Sequence, residues 1–194
     1  MTQGMYHYLG EAWKKPSREM LYDRMIQWRA SDAVERVDKP LRLDRARSLG
    51  YKAKKGILVV RVRVIRGGRR RKRMGVKGRK TRKQTIRKTL KMSYQWVAEI
   101  RAARKYPSLE VLNSYPIGKD GKFAFFEVIL IDINRPEIQN DRTLKWISSG
   151  KNSKRAERGL TSAGKKSRGL MSNRGKSPLL KVRPSLRAWG RKGK

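Results

Sequence analysis

The chain of 194 residues has no cysteine and a single histidine, His7. Without thiols it can form neither disulfides nor thiolate metal sites. One imidazole cannot build a histidine-rich metal centre, and the remote His7 is the only histidine that could activate a serine or threonine. Long apolar runs are missing as well. The longest, around 57–60 and 128–131, fall far short of the roughly 20 residues that span a bilayer. The opening stretch MTQGMYHYLGEAWKK has no uninterrupted apolar core and does not read as a signal peptide. A soluble cytoplasmic protein with no membrane partner is expected. Carboxylates are scarce too: 15 Asp and Glu stand against 52 Lys and Arg, a formal net charge of +37. A chain that repels itself this strongly implies a polyanionic partner.

The excess charge is segregated. Residues 1–44 hold eight basic and seven acidic side chains, and residues 99–147 again hold eight and seven. Between them, residues 45–98 hold twenty-one basic side chains and no acidic one, and residues 148–194 hold fifteen against Glu157 alone. A uniformly basic surface could serve solubility. Blocks of like charge beside near-neutral stretches point instead to surfaces that meet phosphate.

Periodicity outlines the folded part. Residues 5–15 suggest a short helix with Tyr6, Tyr8 and Trp13, broken at Pro16. Ser17 is placed to cap a second helix reaching about Ser31, with Leu21, Met25 and Trp28 on one apolar stripe. Trp28 is expected in the core. Residues 37–55, with Pro40 and Gly50, read as irregular. GILVVRVRVIRGG reads as a strand with Leu58, Val60, Val62 and Val64 on one face and Arg61 and Arg63 on the other, the arginines facing phosphate. The following stretch, 69–88, has few apolar anchors and by itself cannot offset its ordering entropy. Met92, Trp96, Ile100 and Ala103 then mark one side of an amphipathic helix ending before Pro107. LEVLNSYPIG and KFAFFEVILID flank an Asp120-Gly121 turn signal and form a hairpin. Its second strand is apolar on both faces apart from Glu127, as in the interior of a sheet covered on both sides. Residues 134–137 suggest one more short helix. The whole divides into a core over 1–147, interrupted by a basic extension at about 66–91, and an extended basic tail over 148–194 with seven glycines.

RGLTSAGKKSRGL, at 158–170, nearly reproduces the phosphate-loop pattern G-x-x-x-x-G-K-[ST] through Gly159, Gly164 and Lys165. The position that should carry a magnesium-binding hydroxyl is Lys166, and residues 151–157 cannot be the buried strand that such a loop must follow. Catalysis finds no other foothold. Glu99 lies on a helix rich in arginine, where charge pairing accounts for it. Glu127 and Asp132, an odd number apart on one strand, point to opposite faces. No cofactor and no small-molecule substrate are expected. Duplex DNA is usually read by a folded helix or ribbon in the major groove. Here the charge lies in glycine-punctuated segments suited to the crevices of folded RNA. A general nucleic-acid-condensing protein of the nucleoid remains the alternative.

SLGYKAKKGILVVRVRVIRGGRRRKR, VLNSYPIG, FFEVILID and RGLTSAGKKSRGL closely resemble, in this order, the family of large-subunit ribosomal proteins numbered fifteen in eukaryotes and archaea. The similarity runs from Tyr6 to about Ala188, and the lack of cysteine and modest length are more like an archaeal member. The family usually has tryptophan where Pro116 stands. The resemblance implies an α+β fold with a small, mainly antiparallel sheet packed with helices, and long extensions embedded in large-subunit ribosomal RNA. It also implies neighbouring large-subunit ribosomal proteins as partners rather than a homo-oligomer. By the resemblance, Lys52, Lys54, Lys55, Arg66, Arg69, Arg70, Arg71, Lys72, Arg73, Lys165, Lys166 and Arg168 contact RNA. The charge blocks add Arg45, Arg47, Lys77, Arg79, Lys80, Arg82 and Lys83 in the first, and Arg155, Arg158, Arg174, Arg183 and Arg187 in the second.

Overall fold

The computed structural model describes residues 3–68, 90 and 92–171. The expected basic extension over 69–88 and the tail beyond 171 lie outside them, and with them Arg69, Arg70, Arg71, Lys72, Arg73, Lys77, Arg79, Lys80, Arg82, Lys83, Arg174, Arg183 and Arg187. The described elements run α1 (Met5–Lys14), α2 (Arg18–Ala30), β1 (Val34–Val37), α3 (Leu43–Ser48), β2 (Ile57–Ile65), α4 (Tyr94–Lys105), β3 (Leu109–Lys119), β4 (Phe123–Asp132), α5 (Pro136–Gln139) and α6 (Ser162–Ser167). Short 3-10 turns at Lys145–Ser148 and Gly150–Asn152 precede α6. The fold is α+β, as the resemblance implied. No helix among the described residues is long and apolar enough to cross a membrane.

The four strands form one antiparallel sheet in the order β1-β2-β4-β3. β4 is interior, as its sequence requires: every residue between Phe123 and Asp132 is buried. Its odd-numbered side chains, Phe125, Ile129 and Ile131, pack with Trp28, Ala46, Tyr115, Ile138 and Ile147. Its even-numbered side chains, with Val60, Val62 and Val64 of β2, meet Ala98 and Ala102 of α4. Each large apolar side chain so covered contributes about 1.5–3 kcal/mol relative to exposure. Helices therefore lie on both faces of the sheet.

Trp28 is a core residue, 4% exposed and 5.2 Å from the Phe125 ring. Pro116 sits exposed on the edge strand β3, at a register irregularity between Pro116 and Gly118, where a missing N–H interrupts no interior ladder. The hairpin is closed by a side chain rather than by a left-handed glycine. Asp120 Oδ1 accepts the N–H groups of Lys122 at 2.7 Å and Phe123, and Gly121 keeps a negative φ.

Three expectations change, and one strand, β1, had not been anticipated. Residues 37–55 are not irregular throughout, because α3 forms there and buries Ala46. The four-residue strand β1 is too short to carry a legible alternation. On α4 Trp96 of the expected stripe is buried and Ala103 packs at the core's edge, but the other buried positions are Ala98, Glu99 and Ala102 rather than Met92 and Ile100. Small alanines let the helix approach the sheet, so the larger Ile100 lies at the margin. Finally, residues 148–171 are not extended. Arg155, Ala156, Thr161, Ala163, Gly164 and Arg168 are buried against α4 and β3. A local sequence without a hydrophobic run can still fold where its small side chains fill a surface supplied by other elements.

Glu99 organises that docking. Its carboxylate is fully buried and accepts the hydroxyls of Ser114 on β3 and Thr161 ahead of α6, the latter at 2.5 Å. Thr161 Oγ1 in turn accepts Gly164 N–H at 3.1 Å and caps α6. Trp96 Nε1 donates to Ala156 O at 2.7 Å beside it. Glu99 is thus held by hydroxyls from two other elements, not by the arginines of its own helix. Burial pushes its carboxyl above the usual carboxylate range, against the two hydroxyl donors and the Arg155 charge.

Two outcomes are expected in thermal or urea unfolding. A chain ending at Met171 keeps the stability of the folded part, whereas one ending at Ile147 loses more than about 3 kcal/mol, because Glu99 and Trp96 are left with unpaired polar atoms. Because the Glu99 carboxyl is raised by folding, its stabilising contribution is full below the unfolded value of about 4.3 and lost as pH rises through the folded value. Glu99→Gln is therefore at least as stable as wild type at pH 7–8, with the difference vanishing towards pH 4. Glu99→Ala, which orphans both hydroxyls, is destabilised by about 1–3 kcal/mol.

Candidate nucleic-acid interface

Exposed basic side chains from the two charge blocks are found at both ends of strand β2. At one end β2 runs out past the hairpin tip. Arg66 donates its backbone N–H to Lys122 O at 2.9 Å and its guanidinium to Asp120 O. Gly67 N–H donates to the Tyr94 hydroxyl at 2.7 Å, and Ser93 N–H to Ser167 Oγ at 3.1 Å. The point where the chain departs at Gly68, the start of α4 and the end of α6 are thereby tied together. Around them Arg66, Arg101, Lys119, Lys122, Lys165 and Lys166 are exposed.

Arg63 belongs to this end but points into protein. Its guanidinium donates to the carbonyls of Trp28, at 3.3 Å, and Arg29, and lies 5.0 Å from the Phe123 ring. Arg61 pairs with Glu35 and sits 5.5 Å from the Trp28 ring. Both arginines thus tie β2 to α2 and β1.

The other end carries Lys52, Lys54 and Lys55, between α3 and β2. Lys52 and Lys54 share the carboxylate of Asp141, Lys52 at 3.0 Å. Lys52 also donates to Thr143 Oγ1 and Lys54 to Glu137 O, each at 2.8 Å. The hydrogen bonds from Lys54, Thr143 and Lys52 hold the Asp141 carboxyl well below the usual range. Two cations on one anion leave net positive charge at a fixed position, with Lys55 exposed beside them. Arg45 and Arg47 are exposed on α3 just before this loop, and the Arg47 guanidinium lies over the Tyr6 ring at 5.5 Å and donates to its hydroxyl.

The basic residues of 155–168 divide sharply. Arg155 is buried, its guanidinium donating to Val111 O and Leu112 O at 2.6 Å each. Burial lowers its pKa from the usual guanidinium value. Arg168, 5% exposed, donates to Gly159 O at 2.9 Å. Arg158 is exposed but bridges the carbonyls of Lys151 at 2.8 Å and Ser153 at 3.1 Å. Lys165 and Lys166 alone of this group project outward from α6. Sequence reasoning weighted all of these alike, because a charge count cannot tell an arginine spent on carbonyls from one facing water. It passed over Lys119, Lys122 and Arg101, whose positive charge the block sum over 99–147 hid among carboxylates.

The phosphate-loop look-alike has a packing explanation. Gly159 has φ of +65°, and a Cβ on it would meet Trp96 Cζ2 at 2.9 Å. A Cβ on Gly164 would fall 2.7 Å from the Gly159 Cα. The two glycines of the motif thus let one backbone segment lie on the other and on Trp96, and the segment before them forms turns rather than a strand. Among the described residues, no group of three His, Cys, Asp or Glu is placed to hold a metal ion.

Comparison with known proteins identifies the family. A family model described as Ribosomal L15 matches residues 4–189. Large ribosomal subunit protein eL15 of Methanospirillum hungatei JF-1 is 53% identical over 193 residues, covering 97% of this chain and 97% of that protein. The protein of the same name from Methanocella arvoryzae is 48% identical over 199 residues, covering 100% of each. With the family match extending over nearly the whole chain and both relatives archaeal, this chain belongs to the eL15 family of large-subunit ribosomal proteins.

Proposed function

We propose that this protein is an architectural, non-catalytic component of the cytoplasmic large ribosomal subunit, binding its ribosomal RNA and bracing segments that would otherwise repel. The observation that carries the reading is the excess of positive charge in two blocks and the exposure of part of it on the folded protein. The block over 45–98 holds twenty-one basic residues and no acidic one, and 148–194 holds fifteen against Glu157 alone. Exposed Arg45, Arg47, Lys52 and Lys55 at one end of the sheet, and Arg66, Lys165 and Lys166 at the other, are the phosphate contacts of the folded part. Lys54 serves with them through Asp141. Arg61, Arg63, Arg155, Arg158 and Arg168 act in support, holding strands and turns whose positions set where the lysines project. Arg69, Arg70, Arg71, Lys72, Arg73, Lys77, Arg79, Lys80, Arg82 and Lys83 add contacts from the internal basic block, as do Arg174, Arg183 and Arg187 from the tail. Neighbouring subunit proteins complete the environment.

Sedimentation of cell lysate in moderate salt tests the assignment. The protein is expected in the large-subunit peak, and co-fractionation with DNA instead would replace this reading by the nucleoid one. Binding to purified large-subunit ribosomal RNA should weaken with salt. For about ten phosphates contacted, log affinity against log salt has a slope of roughly −7 to −9. Lys55→Ala should make that slope shallower by about one and leave folding stability within about 0.5 kcal/mol of wild type. Lys165→Ala is expected to behave alike.

A further inference from the structure

Trp146 stands out among the aromatic side chains of the folded part. It lies on the 3-10 turn Lys145–Ser148, whose neighbours Leu144 and Ile147 are buried at 3% and 1% exposure, yet Trp146 itself is 43% exposed. The exposure is not that of a loose surface ring. The Arg155 guanidinium lies 4.9 Å from the ring centroid, and that guanidinium is itself fixed by the carbonyls of Val111 and Leu112. The backbone is pinned too, because Trp146 O accepts Asn152 Nδ2 at 2.6 Å. Arg155 is thus a buried cation that holds two carbonyls of β3 and at the same time backs an indole that the core does not cover.

We propose that Trp146 is a stacking platform for an unpaired nucleobase of the RNA, with Arg155 as the positioning residue behind it. This rests on the RNA-binding reading above. Base–aromatic stacking needs a flat apolar ring with one face accessible and little conformational freedom to lose. An arginine behind the ring adds its own favourable cation–π contact and fixes the ring plane before the base arrives. The surroundings favour a polyanion that brings bases with it. Residues 145–158 carry Lys145, Lys151, Lys154, Arg155 and Arg158 against Glu157 alone, and Glu157 is paired with Arg104 at 2.9 Å. Phosphates flanking the stacked base would meet the exposed Lys145, Lys151 and Lys154 while the ring takes the base itself. The near-neutral α1 and α2 offer exposed aromatics as well, such as Tyr8 and Tyr22, but among the described residues no guanidinium lies over either ring.

The experiment compares the full chain with Trp146→Phe, Trp146→Leu and Trp146→Ala in binding to large-subunit ribosomal RNA purified from archaeal ribosomes, across a salt series, with thermal unfolding measured in parallel. Stacking is charge-neutral and releases no counterions. Leu and Ala are therefore expected to bind about five- to a hundred-and-fifty-fold more weakly at every salt concentration with the salt slope unchanged. Phe, which keeps a ring over Arg155, should stay within about threefold of wild type. Leu preserves apolar bulk without a π face, so a loss shared by Leu and Ala but not Phe, at unchanged melting temperature, separates stacking from packing. If Leu and Ala bind as tightly as wild type, or if their salt slope falls together with affinity, the stacking site is wrong while the RNA-binding reading stands. A wild-type chain that does not bind this RNA overturns both.

Discussion

The architecture depends on one strand that can face water on neither side. β4 presents Phe125, Ile129 and Ile131 to one face and Ala124, Phe126, Val128 and Leu130 to the other, so it has to be flanked by strands and roofed twice. α2, α3, α5 and the 3-10 turn cover one face, and α4 covers the other. Glu127, the one buried carboxylate on this strand, is tolerated because its oxygens accept Leu41 N–H, at 3.2 and 3.1 Å, and the Tyr115 hydroxyl at 2.5 Å. Burial still raises its pKa, and raises that of Tyr115 with it.

That core sets two sheet ends at which the charge can be displayed. The central strand β2 is flanked by basic residues at both ends: it begins after Lys52, Lys54 and Lys55, and Arg66 follows its last residue, Ile65. The distinction between cations that display and cations that build follows from geometry. Arginine, with five donors in a planar fork, can satisfy backbone carbonyls that no hydroxyl reaches, and Arg63, Arg155, Arg158 and Arg168 are used that way. Lysine, with a compact and strongly hydrated charge, stays mostly at the surface, and where Lys52 and Lys54 are restrained it is by an acidic partner. A count of +37 thus overstates the charge on offer, because part of it is engaged inside the protein.

Few acidic residues remain to be distributed, and several of them fasten elements together. Asp120 closes the hairpin and receives Arg29 at 3.3 Å. Glu35 holds Arg61, Asp141 gathers two lysines, and Glu99 receives the segment after the 3-10 turns. In a chain so basic, a carboxylate in the folded part is a clue to a fastening point rather than to chemistry.

From the sequence alone, the hairpin, the interior position of β4, the strand β2, the core role of Trp28 and the family could be read, because alternation, continuous apolar runs and four ordered motifs are local properties of the chain. The segregation of charge was equally plain. What the tertiary structure alone decided is where apolar runs are absent. α3, β1 and the folding of 148–171 depend on surfaces contributed by residues far away in sequence, such as Ala46 beneath the sheet or Thr161 reaching Glu99. The glycines of the phosphate-loop look-alike became intelligible only once Trp96 was seen beneath them. Whether a given arginine is displayed or spent cannot be written in one dimension, since it turns on which carbonyl lies within reach of its fork after the chain has folded.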